Sequence, residues 1–440
     1  MDTSKSGSWR RNALPVADQV RNALEQRVRA NHGRVLAALT RRFGVQRFAQ
    51  IENAVQDAYV RALERWTGTA MPDEPDRWLV RVANNALIDA LRAERRTESL
   101  DADPSHAGVP IHCLQTLPFD ANCEGIADPP ALDSEDELRL IFLCCDPAIP
   151  RAAQIALILN IAFGLSARQI ASAFVSDERT IAQRIVRAKQ CLREARVPFD
   201  VPEGKAIPLR VGAILEVLYL VFSEGQNPSG DAPDDPLCEQ ALRLVRMLTA
   251  RKAFATPEAF ALRALLCFHA SRIPTRFADD GSLLLIQEQD RTRWDGTLIT
   301  EGFACLGGAA AGDRLSRFHL EAAIAGCHAA APTYAATDWK RIVELYDTLI
   351  AVEPSMVIDV NRALAVAMLH GARAGIDELD GIPERDILGR YPYALAAYAD
   401  LHASLGNLAE ARYYLDRALE HQSYPAQRAL LQRKRAALDR

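Results

Sequence analysis

The stretch ARQIASAFVSDERTIAQRIVRAKQ, residues 167–190, carries two helical patterns separated by a short break. Apolar side chains recur at helical spacing from Ala167 to Phe174, and Ser166 precedes this first pattern as a candidate N-cap. The break reads VSD, which is too short for anything but a tight turn. The sequence therefore predicts two short helices joined at an angle.

The second helix of this pair holds most of the charge. Its apolar residues Ile181, Ile185 and Ala188 recur on one face, which we expect to point inward. The polar side chains on its outward faces are Arg179, Thr180, Gln183, Arg184 and Arg187. A charged helix braced by an apolar one suits insertion into the major groove of DNA. The alternative is a solvated amphipathic helix in a helical bundle, and the rest of the chain has to distinguish the two.

A second segment, PDRWLVRVANNALIDALRAERR at residues 75–96, also combines an apolar stripe with polar faces. Its polar side chains are Arg81, Asn84, Asn85, Arg92, Arg95 and Arg96. Asparagine is a poor helix former, so a pair in mid-helix needs an external reason. Amides read base edges, and arginine binds phosphates or stacks on exposed bases. The loop between Trp66 and Trp78 is a candidate site for an unstacked base, and the alternative is a surface helix with a core tryptophan.

The chain that positions these helices has 440 residues, of which 49% are hydrophobic and 25% charged, as in an ordinary folded protein of several domains. It contains no apolar run long enough to span a membrane, and its first residues have no apolar core of the secretory kind. The nine cysteines are scattered and odd in number. We therefore expect no disulfide framework, no membrane association and a cytoplasmic location.

The net charge of −5 conceals a segregation of charge along the chain. Residues 1–100 have 17 Lys/Arg and 12 Asp/Glu, and residues 166–197 have seven and three. Between them, residues 101–134 have six acids and no Lys/Arg, and the balance from residue 198 to the end is −6. Two basic modules therefore flank an acidic spacer, a pattern that indicates local attraction to phosphate.

No convincing strand alternation occurs, so we expect an all-α protein. Residues 98–134 are rich in Pro, Asp and Ala without periodicity, which predicts a flexible acidic linker. Helices resume at Ser134, where Glu137 three residues later makes a candidate capping box. The last hundred residues hold weak repeats with Gly406 at a turn and Pro425 at an end. They indicate stacked tetratricopeptide-like helix pairs, and the alternative is a closed helical bundle.

These motifs converge on a family. The order IENAVQDAYVRALERW, a loop and RWLVRVANNALIDALRAERR resembles region 2 of extracytoplasmic-function (ECF) sigma factors of the sigma-70 family. The helix-turn-helix resembles the end of their region 4. The remainder, with YLVFSEGQNPSG and IQEQDRTRWDGTLITEG, resembles the long C-terminal extension of one ECF subgroup, which ends in tetratricopeptide-like repeats. The resemblance implies region 2 in residues 1–97, a linker in 98–134, region 4 in 135–197 and the extension in 198–440.

The resemblance implies a bacterial transcription initiation factor that binds core RNA polymerase and promoter DNA. The residues that it assigns to the β′ clamp helices of the polymerase are Glu52, Gln56, Asp57, Val60 and Leu63. Those that it assigns to the melted −10 element, together with the preceding loop, are Trp78, Arg81, Asn84, Asn85, Arg92, Arg95 and Arg96. Those that it assigns to the −35 major groove are Ser176, Arg179, Thr180, Gln183, Arg184 and Arg187.

The extension shows no pattern of a catalytic site, because it has no Gly-rich phosphate loop, no HExxH and no paired-Cys zinc motif. We therefore expect no enzyme, no cofactor and no metal. Its densest polar segment is EQDRTRWD at residues 288–295. The candidate regulatory residues of this segment are Gln289, Asp290, Arg291, Trp294 and Asp295. A buried ion-pair network and a regulatory site for an unknown ligand or protein are the two interpretations of this segment.

The sequence thus predicts a sigma factor that directs promoter-specific initiation and is regulated through its own C-terminal extension. The alternative from another class is a helical-repeat scaffold or signal sensor whose helix-turn-helix contacts protein rather than DNA. Binding to core polymerase distinguishes the two.

Overall fold

The computed structural model describes residues 31–66, 72–101, 130–173, 176–195, 197–201, 204, 207–226, 235–278, 282–383, 385–422 and 424–439. Within these ranges every regular element is a helix, and the one isolated β-bridge joins Phe277 and Leu283. The expected all-α class is confirmed. Most of the predicted acidic linker and part of the predicted −10 loop lie outside the described residues. The chain divides into two units, Met1–Pro202 and Glu203–Arg440.

The first unit contains seven described α-helices. They are α1 at residues 31–43, α2 at Phe48–Trp66, α3 at Pro75–Asp101, α4 at Ser134–Cys144, α5 at Arg151–Ile161, α6 at Ala167–Ala173 and α7 at Glu178–Glu194. A 3-10 helix, Val45–Arg47, connects α1 to α2, and Gly44 permits the turn before it with a φ of 86°. Helix α2 packs along α3, whereas α5 and α6 both pack on α7.

Helix α4 begins differently from the sequence expectation. Its N-cap is Asp133, whose Oδ1 accepts a hydrogen bond from the backbone N–H of Glu135 at 2.9 Å. Glu137, the predicted partner in a capping box with Ser134, is fully buried. The predicted capping box is therefore wrong, because the carboxylate one residue earlier already satisfies the first turn.

The second unit contains twelve described α-helices. They are α8 at Ile207–Gln226, α9 at Asp235–Thr249, α10 at Pro257–Ala270, α11 at Gly296–Ala309, α12 at Arg317–Ala330, α13 at Trp339–Val352, α14 at Met356–His370, α15 at Ala372–Gly381, α16 at Arg385–Leu388, α17 at Pro392–Ser404, α18 at Leu408–His421 and α19 at Pro425–Ala437. Helix α10 is central and packs against α8, α9, α11 and α12.

An arginine–glutamate cluster joins three of these helices. Glu301 of α11 accepts from Arg246 of α9 at 2.8 and 2.5 Å and from Arg263 of α10 at 2.9 and 2.7 Å. The hydrogen bonds from Arg246, with help from Arg263, lower the pKa of Glu301 to about 2. This carboxylate therefore stays ionised and connects α9, α10 and α11.

From α12 onward, each long helix packs against a neighbour in the chain, ending with α17 on α18 and α18 on α19. Gly375 lets α15 approach closely, because a Cβ there would lie 2.5 Å from the Cβ of Ala367. Gly406 turns the chain between α17 and α18 with a φ of 81°. Pro425 is the first residue of α19, so it starts a further helix as well as ending the preceding segment.

Among the described residues, no helix is both long enough and apolar enough to cross a bilayer.

Candidate nucleic-acid interface

The predicted helix-turn-helix is formed by α6 and α7. Ser166 caps α6: its Oγ accepts from the N–H of Gln169 at 3.2 Å, and the Gln169 side chain accepts from the N–H of Ser166 at 3.0 Å. Asp177 caps α7, and its Oδ2 accepts from the N–H of Thr180 at 2.9 Å. Each cap begins its own helix, so the start of α6 and the start of α7 are both fixed by side-chain hydrogen bonds.

The inward face of α7 matches the expected spacing. Ile181, Ile185, Ala188 and Leu192 are buried, and they pack against α5 and α6. The apolar face therefore holds α7 in place, so that its other side is available to a partner.

The outward face of α7 is a cationic ridge, defined here by Arg179, Gln183, Arg184 and Arg187. All four side chains are exposed. None of the three guanidinium groups makes an ion pair with a described carboxylate. Two other residues assigned to DNA, Ser176 and Thr180, are half-buried, and the Thr180 hydroxyl donates to Asp177 at 3.3 Å. The exposed members present donors to solvent as a DNA-reading helix requires.

The second candidate DNA surface lies on α3, where Arg81 is exposed and Trp78 and Asn85 are half-buried. The ring of Trp78 lies 5.0 Å from that of the buried Trp66, so the two tryptophans contact each other at the base of the loop. Arg92 forms an ion pair with Asp89 at 3.5 Å. The side chains of Arg95 and Arg96 lie outside the described residues.

Asn84 corrects one sequence-based assignment. Its side chain is 1% exposed, its Nδ2 donates to Asn85 Oδ1 at 3.4 Å, and its own Oδ1 has no described donor. Val80, Ala83 and Leu87 share this buried face at helical spacing. The register of α3 therefore turns Asn84 into the interior, and its amide lies on the buried face of the helix instead of the exposed one.

The candidate polymerase surface lies on α2. Gln56, Asp57 and Val60 are exposed, and Val60 keeps 53% of its surface accessible, whereas Leu63 is half-buried. An acidic group beside an exposed apolar side chain is typical of the rim of a protein interface. Glu52, the fifth residue of this set, is engaged elsewhere.

Glu52 forms an ion pair with α7. Lys189 Nζ of α7 lies 2.5 Å from Glu52 Oε1, and the two side chains are only 23% and 16% exposed. Arg41 of α1 also pairs with Asp136 of α4 at 3.1 Å. We name these four residues the junction. Neither pairing was predicted from the sequence; the available signal was that Lys189 follows Ile185 and Ala188 at the edge of the buried face.

The junction is closely packed. A Cβ on Gly33 of α1 would lie 2.6 Å from the carbonyl oxygen of Ala162, at the end of α5. Burial, followed by the charge of Lys189, lowers the pKa of His32 to about 4, and His32 Nδ1 lies 3.3 Å from Tyr59 Oη. The α1–α3 helices and the helix-turn-helix therefore touch through side chains of both.

The charged segment around Trp294 in the second unit does not form the ion-pair network that one interpretation of the sequence predicted. Asp290 and Asp295 are exposed and cap the 3-10 helix Arg291–Arg293 and helix α11, respectively. Arg291 donates to the carbonyl oxygens of His328 and Ala331, the latter at 2.7 Å, and Gln289 is buried and donates to Leu284 O. The predicted buried ion-pair network is wrong, because these carboxylates satisfy helix N-termini instead. No group of three metal-binding side chains occurs among the described residues.

Comparison with known proteins addresses the first unit most directly. The model of "Sigma-70 region 2" matches residues 28–97, which include α1, α2 and most of α3, with the candidate polymerase and −10 surfaces. The chain therefore contains a sigma-70 region 2 domain. It is also 26% identical over 152 residues to "Probable ECF RNA polymerase sigma factor SigI" of Mycobacterium tuberculosis (strain CDC 1551 / Oshkosh). That match covers 34% of this chain and 48% of SigI, about half of the relative's length.

The chain also matches a second relative over most of its length. It is 38% identical over 376 residues to "Uncharacterized protein R00370" of Rhizobium meliloti (strain 1021), which covers 84% of this chain and 85% of that protein. The two belong to one family. Residues 210–310 match a "Family of unknown function (DUF6596)", which includes the charged segment around Trp294. No solved structure matches the chain.

Proposed function

We propose that this sigma-70 family protein is an ECF-type RNA polymerase sigma factor that directs promoter-specific transcription initiation. The observation that carries the proposal is the region 2 match over residues 28–97, in the same unit as a helix-turn-helix with an unpaired cationic ridge. A scaffold that only docked to protein would not need exposed arginines at base-reading positions on a capped, braced helix. The protein's role is binding, and it performs no catalysis itself.

Each candidate surface has one task in this proposal. The cationic ridge of α7 enters the major groove at −35, where arginine and glutamine side chains bond base edges. Arg81, Asn85 and Trp78 of α3 engage the melted −10 strand through charge, amide and ring contacts. Gln56, Asp57 and Val60 of α2 bind the β′ clamp helices of the polymerase. Residues 135–197 act as region 4.

Promoter binding requires the junction to open. Elements at −10 and −35 lie about 85 Å apart along B-DNA, at about 3.4 Å per base pair. The longest described helix of the unit, α3, is only about 40 Å long, and modules held together by the 2.5 Å contact of Lys189 with Glu52 are too close to reach both elements. The 32 residues between Asp101 and Ser134 can extend to at most about 110 Å, which is enough to connect the separated modules.

The second unit regulates initiation in this proposal. It contains a cavity of about 460 Å³ whose walls include Leu283, Val360, Leu364, Tyr393 and Lys434. A mostly apolar cavity with a few polar groups is the usual form of a ligand or peptide site. A chain ending at Pro202 tests the role of this unit: transcription by that chain that equals the full chain's would contradict regulation through the extension.

Core binding tests the proposal against its alternative. Purified chain is mixed with bacterial core RNA polymerase and passed over a size-exclusion column, and the complex is then assayed for transcription from candidate promoters. Co-elution with core and a promoter-specific transcript are expected. A chain that binds protein through its repeats but never core polymerase would instead be the scaffold or sensor.

A further inference from the structure

In the second unit, two guanidinium groups lie over the indole ring of Trp294. The Cζ of Arg291 lies 4.8 Å from the ring centre of Trp294, and the Cζ of Arg272 lies 5.7 Å from it. Trp294 itself is only 7% exposed. The backbone fixes this arrangement, since the N–H of Asp295 donates to the carbonyl oxygen of Ser271 at 3.0 Å and so joins the two segments.

His328 at the end of α12 lies beside Arg291, because its carbonyl oxygen accepts a hydrogen bond from that side chain. The His328 ring itself packs edge-on against Trp339, with the ring centres 5.3 Å apart. Burial, then the charges of Arg276 and Arg291, lower the pKa of Arg272 to about 10. Burial, then Arg272 and Arg291, lower the pKa of His328 to about 4. Burial also lowers the pKa of Arg291. We name Arg272, Arg291, Trp294 and His328 the Trp294 cluster; burial is the main cause of all three pKa shifts, and no carboxylate contributes to any of them.

The cluster contains buried nitrogen atoms without acceptors. They are Arg272 Nε, Arg291 Nη2, Trp294 Nε1 and His328 Nδ1, and none has a hydrogen-bond partner among the described residues. The acids closest in sequence point elsewhere: Asp290 accepts from Thr292, and Asp295 accepts from the N–H groups of Thr297 and Leu298. Arg272 has the indole face as its described partner.

Burying these nitrogen atoms without partners raises the free energy of the folded protein unless a bound group supplies charge and acceptors. A buried charge without a counter-charge loses its hydration, and a buried donor without an acceptor loses a hydrogen bond. Here several such groups on three segments share one neighbourhood. An oxyanion with several acceptor atoms removes both costs together, because guanidinium forks bind such anions with paired hydrogen bonds.

We propose that Arg272, Arg291, Trp294 and His328 form a binding site for the phosphate group of a small molecule. The charge selects phosphate over a carboxylate, since Arg272 and Arg291, with Arg276 nearby, supply more positive charge than one carboxylate balances. The burial of Trp294 and of the Nε atom of Arg272 selects a small molecule over the backbone of a nucleic acid. The site is separate from the promoter-binding surfaces of the first unit, and it is tested without polymerase.

Isothermal titration of the purified full chain with sodium phosphate tests the site. Sodium acetate and sodium chloride at the same ionic strength are titrated in parallel. We expect saturable heat with phosphate alone. Arg272→Met is expected to weaken phosphate binding about tenfold or more, the effect of losing a charge-assisted bond. Arg293→Met is the matched control: Arg293 belongs to the same segment but is exposed, and its variant is expected to bind phosphate like the wild type.

Three results would overturn the proposal: no phosphate binding by the wild type, equal binding of acetate and phosphate, or equal phosphate affinity in the wild type and Arg272→Met. Circular dichroism checks the fold of each variant. If Arg272→Met does not fold, Arg272→Lys replaces it, because lysine keeps the charge and removes the planar fork. That variant is expected to lose several-fold affinity for phosphate, and unchanged affinity contradicts the site.

Discussion

Lys189 on the candidate recognition helix forms an ion pair with Glu52 on the candidate polymerase-docking helix, at 2.5 Å and with both side chains largely shielded from water. One contact thus joins Glu52 of the candidate polymerase surface to the helix that carries the cationic ridge. While it is formed, Glu52 is not available to the polymerase, and α7 is held beside α2. The structure is therefore that of a closed form of the first unit, and the proposed function needs an open one.

Reversing the charge of Lys189 is expected to destabilise this closed form. In Lys189→Glu, two carboxylates face each other in a shielded contact, so the free energy of unfolding should fall by about 1–3 kcal/mol. The double variant Glu52→Lys with Lys189→Glu should recover most of the loss, as measured by urea unfolding in a double-mutant cycle. Arg193→Glu, an exposed change on the same helix, should stay within about 0.5 kcal/mol. Additive effects of the two junction changes would show that the pair is not coupled.

The cationic ridge is expected to carry −35 recognition. Arg184→Ala and Arg187→Ala should each weaken promoter binding by about 1–3 kcal/mol if the arginine reads a base, or reduce affinity for all sequences with a shallower salt dependence if it binds phosphate. Fold stability should not change, because both side chains are exposed and unpaired. Fluorescence anisotropy with labelled promoter DNA measures the affinity, with Arg193→Ala as the control. Wild-type affinity and salt dependence in both variants would remove α7 from the groove.

Substitutions of Arg81 and Asn84, which both lie on α3, are expected to affect DNA binding differently. Arg81 is exposed, so Arg81→Ala should reduce binding to single-stranded −10 DNA several-fold. Asn84 is buried with an unpartnered Oδ1, so Asn84→Ala should leave that binding unchanged and alter stability by no more than about 1 kcal/mol. Filter binding and thermal unfolding measure the two quantities. A larger binding loss in Asn84→Ala than in Arg81→Ala would mean that α3 rotates or opens when DNA binds.

Because of Glu301, the stability of the second unit is expected to depend on pH in the acid range. Hydrogen bonds from Arg246, and then Arg263, hold its folded pKa at about 2, below the ordinary 4.5. A lowered folded pKa contributes stability above the unfolded pKa, and this contribution is lost as pH falls from about 4.5 towards 2. Glu301→Gln should therefore be less stable than the wild type at neutral pH, and the difference should shrink across that window. Thermal unfolding from pH 7 to pH 2.5 measures it, and a constant difference would contradict the linkage.

The parts of the fold that depend on local pattern were predictable from the sequence. Helical spacing located Ile181, Ile185 and Ala188 on the buried face of α7, and Ser166 was recognisable as a cap. The junction was not predictable, because Lys189 and Glu52 are 137 residues apart and their contact depends on how two modules pack. Asn84 was assigned to the DNA surface because its side chain is polar. Its helical spacing from the buried Val80 and Leu87 was the signal that it lies on the inner face.

The charged segment around Trp294 shows the same limit. Its composition indicated buried charge, yet it could not tell which acids would cap helices and which arginine would lie on the indole. Asp290 and Asp295 each precede a helix, and that local role decided their position. Arg272, which shares the ring of Trp294, comes from a separate turn whose proximity only the tertiary fold reveals.

The central claim is that this chain is a sigma factor, and its affinity for core RNA polymerase tests that claim most directly. Biolayer interferometry with immobilised core enzyme measures the full chain beside Asp57→Lys on the exposed face of α2 and Asp73→Lys, an exposed acidic position in the loop before α3, as the matched control. The account predicts saturable wild-type binding, at least tenfold weaker binding by Asp57→Lys and wild-type binding by Asp73→Lys. No binding of the folded wild-type chain to core enzyme, under conditions in which another sigma factor binds, would contradict it.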